Sequence, residues 1–133
     1  MDEKLKTVIE GIIKKCKERQ IAWSKTSGNG FVLFLLNSTI EISRVFYSDP
    51  YDQEAHYYSI KIYNNDGDQI DCLSSYEENS DSDISVLLKE LYECASKSYY
   101  RIDETYESII DEIKNSDFIG KKEKIITSDY LPF

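Results

Sequence analysis

The chain has 133 residues, of which 41% are hydrophobic and 31% charged, and it carries a formal net charge of −9. A chain of that size forms one ordinary domain and buries roughly two-thirds of its unfolded surface, which makes a core without metals or disulfides. An acidic balance excludes general phosphate-backbone binding, which needs clustered Lys and Arg.

Leu5, Val8, Ile9, Ile12, Ile13 and Cys16 recur at steps of three and four, so the spacing predicts an amphipathic helix over residues 3–18. Acids at its start and Lys14, Lys15, Lys17 and Arg19 at its end complement the helix dipole. Period two follows. Ile21 to Thr26 reads as a strand, and Ser27-Gly28-Asn29-Gly30 as a reversal. Phe31 to Leu36 is apolar on both parities, which predicts a central strand covered on both faces. A second covered face would be explained by a homodimer.

From Thr39 to Tyr47 the chain alternates, with Ile40, Ile42, Arg44 and Phe46 on one parity. An acidic loop around Pro50 leads into a further strand, Tyr57 to Tyr63. Asn64-Asn65-Asp66-Gly67-Asp68 then supplies the clearest hairpin turn, because Asn, Asp and Gly tolerate positive φ. Gln69 to Ser74 is the last strand. Strands joined by such short turns form an antiparallel meander.

Asp81, Ser82 or Asp83 can cap a helix whose apolar stripe runs from Ile84 to Ile113. The stripe reads as one helix over 83–116, or as two that meet near Tyr100–Asp103, and Gly120 stops it. The expected class is therefore α+β. An N-terminal helix, a four- to five-stranded antiparallel meander sheet and a C-terminal helix or helix pair packed on the sheet make one domain over 1–120, with a tail over 121–133.

The chemistry on offer is sparse. His56 is the only histidine, which rules out His–His metal pairs and leaves any catalytic triad a single base. The cysteines Cys16, Cys72 and Cys94 are odd in number and widely spaced, as befits free thiols of a reducing cytoplasm. Cys16 and Cys94 fall on helix faces expected to be buried, which leaves Cys72 as the one thiol to set against His56. There is no phosphate-binding glycine loop, dinucleotide fingerprint or nucleophile elbow. Asn79, Asp81, Asp83 and Glu90 fall at calcium-loop spacing, but Ile84 stands where that loop needs glycine, and helix capping explains the aspartates. No catalytic residue, metal or cofactor is assigned.

Surface acids and phenols remain. Residues 48–83 hold ten acids against one base, Lys61, and the chain has eleven tyrosines. Tyrosine offers a large rigid contact area with a polar tip, a composition favoured at interfaces. Tyr47, Tyr51, Asp52, Glu54, Tyr57, Lys61 and Tyr63 are therefore the expected binding residues. They point to a non-catalytic factor of the immunity, antitoxin or anti-defence type that engages a basic protein partner. The second reading is a small-molecule binder, sequestering or sensing, with its pocket between the sheet and the C-terminal helix. No signal peptide or membrane span is evident, so a cytoplasmic bacterial or phage protein is expected.

Overall fold

The computed structural model describes residues 3–51, 55–76 and 82–120. Helix α1 (Glu3–Lys17) leads into strands β1 (Ser24–Lys25), β2 (Gly30–Phe34), β3 (Thr39–Phe46), β4 (His56–Tyr63) and β5 (Gln69–Ser74). Helices α2 (Asp83–Tyr100) and α3 (Ile102–Asn115) follow. The strands form one antiparallel sheet in the order β1-β2-β3-β4-β5, the meander that the short turns predict. The class is α+β.

Local chemistry accounts for the element boundaries. The Ser82 side chain accepts from the Ser85 amide at 3.1 Å and so starts α2. Arg101, in the left-handed region at φ 52°, ends it. The break falls inside the expected range, and a left-handed arginine makes it. Arg19 closes α1 in the same way, at φ 58°. In the β4–β5 turn, Asn64 Oδ1 accepts from the Asp66 and Asp68 amides, both at 3.0 Å, while Gly67 takes φ 86°.

Register determines the core. Lys25, Phe31, Ile42, Ile60 and Leu73 face one another across all five strands, and Leu33, Ile40 and Ile62 form the next row. Leu88, Leu91, Tyr92 and Ala95 of α2 and Leu5, Ile9 and Ile13 of α1 close over this face. Helix α2 contacts both α1 and strands β2, β3 and β4, which makes it the keystone of the core.

Two sequence expectations need correction. The strand expected over Ile21–Thr26 pairs only at Ser24 and Lys25. Strand β2 ends at Phe34, short of Leu36, and within the single chain only one of its faces is covered: Phe31 and Leu33 are buried, whereas Phe34, Leu35 and Leu36 are exposed. The apolar run is continuous because it passes from a one-sided strand into an exposed corner, where Leu35 N donates to Ser38 O.

The chain divides into two compact units, Met1–Arg101 and Ile102–Phe133. In the second, Tyr106, Ile109, Ile110 and Ile113 share one stripe of α3, and no α3 residue is buried. Helix α3 ends at Asn115, short of Gly120. No helix among the described residues is long and apolar enough to cross a membrane.

Candidate functional site

The expected binding residues separate into two groups. Tyr47 and Tyr57 meet, with ring centroids 6.1 Å apart, and Tyr76 joins them at 5.3 Å and 4.8 Å. This triad lies on the sheet face opposite α1 and α2, because Val45 pairs with Tyr57 on the parity that excludes the core. Lys61 and Tyr63 lie farther along β4. There Lys61 stands opposite Glu41, and the Tyr63 hydroxyl is 3.5 Å from Glu41 Oε1. Tyr51 is fully exposed in the preceding turn, its amide donating to Asp49. Asp52 and Glu54 lie outside the described residues, as do Asn79 and Asp81 of the calcium-like spacing.

His56 and Cys72 do not meet. Cys72 pairs with Lys61 on the open face, whereas His56 shares the parity of Tyr58 and Ile60 on the helix-covered face. The His56 ring packs tilted against Phe46 and edge-on to Tyr58, at 5.7 Å and 5.4 Å. Among the described residues no group of three His, Cys, Asp or Glu side chains is arranged to hold a metal ion.

A concavity among the described residues lies elsewhere, on the helix side of the sheet. A cleft of about 610 Å³ opens between α2 and the β1–β2 hairpin. Strand β1 and the hairpin bring Lys25 and Asn29 to its rim, and β3 and β4 bring Arg44 and Tyr58. Helix α2 contributes Tyr92, Cys94, Lys97 and Tyr100. The hairpin is tied to β3 by the Arg44 amide, which donates to Asn29 O at 2.9 Å. Lys25 Nζ donates to Gly28 O at 2.5 Å, which steadies the rim.

Arg44 is the least expected occupant. It falls on the apolar parity of β3, and its guanidinium lies 5.1 Å from the Phe46 ring and 5.2 Å from Tyr92. Its Nε is buried without a hydrogen-bond partner. A buried unpaired donor carries a desolvation cost, which Trp23 Nε1 shares, and the Arg44 side chain offsets part of its own by a hydrogen bond to Tyr58.

Titration behaviour concentrates in the same place. Burial pushes the Tyr58 phenol above its ordinary value, partly opposed by Arg44. Burial likewise raises the Cys94 thiol, helped by Cys16, whose Sγ donates to the Cys94 carbonyl at 3.1 Å. Cys94 is only half-buried, less covered than its helix position suggests. Lys17 is held protonated by Glu90, 2.6 Å away, in an exposed pair that ties α1 to α2. Tyr58 and Cys94 are thus neutral donors at neutral pH, and neither is an activated nucleophile.

The Tyr58 shift has a measurable consequence. The folded state keeps the proton above the pH at which the unfolded chain releases it. Stability from this group is therefore complete below about pH 10 and falls as pH rises through the folded value. Above about pH 10 the stability of wild type to urea should fall with pH more steeply than that of Tyr58→Phe. Equal slopes in the two proteins would refute the shift.

The cleft escapes a linear reading because its residues come from β1, β3, β4 and α2, more than seventy positions apart along the chain. One signal was available: a single arginine on an otherwise apolar strand parity. In comparisons with known proteins no family model, no curated protein and no solved structure matches the chain.

Proposed function

We propose that the protein is a non-catalytic cytoplasmic binding factor that holds a small molecule in the cleft between α2 and the β1–β2 hairpin, sequestering or sensing it. The observation that carries this reading is the convergence on one concavity of Arg44, Tyr58 and Cys94, donors from three separate elements. Pockets of several hundred Å³ with apolar walls and a few converging polar groups are the usual form of small-ligand sites. The raised Tyr58 and Cys94 values favour binding over turnover, because both groups stay protonated.

Native mass spectrometry of the gently purified protein is expected to detect a bound small molecule. Ser96, half-buried on α2, lines the cleft, and Ser96→Trp fills the space, so the adduct should disappear from that variant. A wild-type protein that stays empty across purification conditions sinks the reading.

The tyrosine triad favours a second reading. Three packed phenols on an open sheet face are flanked in sequence by Asp49, Asp52, Glu54, Glu77 and Glu78. Such a surface suits a basic protein segment, as in an immunity, antitoxin or anti-defence factor. A partner captured at low salt should be basic and should be lost from Tyr57→Ala. Undiminished capture by that variant counts against the triad.

A further inference from the structure

The chemical class of the ligand follows from how the cleft is lined, and the argument rests on the cleft being the binding site. Four cations, Lys17, Lys25, Arg44 and Lys97, face two carboxylates, Glu90 and Glu93, in a chain whose net charge is −9. Lys17 is already committed to Glu90. Lys25, Arg44 and Lys97 therefore converge against Glu93 alone, a local positive excess on an acidic protein.

The cations are interleaved with rings. Lys25 pairs opposite Phe31 across β1 and β2, and its ammonium lies 5.3 Å from that ring. Phe31 lies 5.4 Å from Tyr92, and Tyr92 lies 5.2 Å from the Arg44 guanidinium. The floor thus runs cation, ring, ring, cation. Tyr100 stands edge-on to Phe31 at 6.2 Å and is half exposed, which leaves a ring surface at the mouth.

We infer that the cleft takes a small organic anion carried on a flat ring, an aryl or nucleoside monophosphate or carboxylate, with the anion on Arg44 and the ring against Tyr100. Packing between Phe46 and Tyr92 holds the guanidinium in a fixed orientation, so its donor fork is pre-organised for carboxylate or phosphate oxygens. Lys25 and Lys97 add charge without that geometry. A long polyanion is disfavoured by the small volume and by the acidic remainder of the chain.

The test uses the full-length protein with three matched pairs of probes: phenyl phosphate and phenol, benzoate and benzamide, AMP and adenosine. Binding is followed by amide shifts in heteronuclear NMR, with inorganic phosphate as a ring-free control. At least one anion is expected to shift the amides of Asn29, Arg44 and Lys97, and to bind about tenfold tighter than its neutral partner, as one charge-assisted pair supplies. It should also bind tighter than inorganic phosphate and weaken with added salt.

Arg44→Gln should erase the preference for the anion, and Arg44→Lys should restore only part of it, since charge returns without the fork. Lys97 is exposed, so Lys97→Gln leaves the core intact and should cost a few-fold in affinity, whereas Lys89→Gln, outside the cleft, should not. Neutral probes that bind in the cleft as tightly as their anions overturn the anionic class while leaving the cleft as a binding site. Equal binding of inorganic phosphate overturns the ring. If none of the probes moves cleft amides, the inference and the reading beneath it both fall.

Discussion

Replacing Leu91 by alanine is expected to lower the unfolding free energy by about 3 kcal/mol, within the range for deleting a fully buried leucine side chain. Leu91 is 0% exposed and sits at mid-length on α2, the helix that contacts both α1 and the sheet. Truncation removes apolar area and leaves a cavity that neither layer can collapse into, because both are held by their own pairing. Domains of this size are stable by roughly 5–15 kcal/mol, so the loss is a large share of the total. Urea unfolding should show a lower midpoint with an unchanged slope. Val86→Ala, at an exposed position of the same helix, should change stability by less than about 0.5 kcal/mol. If Leu91→Ala costs no more than Val86→Ala, α2 is not the keystone described above.

The same helix shows what can be read from sequence alone and what cannot. Its stripe of Leu87, Leu88, Leu91 and Ala95 repeats at helical spacing, and Ser82 is a legible cap, so both its existence and its start follow from local rules. Helix α1 and the β4–β5 turn are legible for the same reason: periodicity and turn chemistry act over a few residues. The two corrected strands fail for a shared reason. Apolar or alternating residues at Ile21–Thr26 and Phe31–Leu36 state a preference for extended backbone, but where pairing stops depends on partners elsewhere in the chain.

The sites divide along the same line. The pairing of Tyr47 with Tyr57 is a neighbour relation across one loop, and the acidic sequence around it points there. Tyr76 joins them only through the β4–β5 register. In the cleft, Arg44 meets Tyr92 through the docking of α2, forty-eight positions further on, and no local pattern encodes that contact. An arginine among Ile40, Ile42 and Phe46 on one parity is the trace that long-range packing leaves in sequence.

A second large effect is expected at Gly30, where stability and the cleft are coupled. Gly30 pairs opposite Ser43 and is buried. A Cβ there would lie 3.1 Å from the Ile42 carbonyl oxygen, 3.1 Å from Ser43 Cβ and 3.0 Å from Thr26 Oγ1. Two of those three neighbours belong to the β3 backbone and its first side-chain atom, which cannot rotate away. Valine adds two further methyl groups to the same space, so Gly30→Val should cost about 2–3 kcal/mol through overpacking between β2 and β3. Lifting the hairpin that carries Thr26 to Asn29 would relieve the clash, and that movement should break the Arg44 amide bond to Asn29 and shift Lys25 off the Phe31 ring. Anion binding in the cleft should therefore weaken more than it does in Leu91→Ala compared at equal fraction folded, because here the damage is at the rim itself. Gly28→Val provides the control: nothing lies within 4 Å of a Cβ at that position, in the same hairpin. It should leave both β2–β3 pairing and the cleft close to wild type. If Gly28→Val and Gly30→Val lose stability and ligand alike, hairpin flexibility rather than the close approach at Gly30 sets the rim, and the placement of Lys25 and Asn29 has another cause.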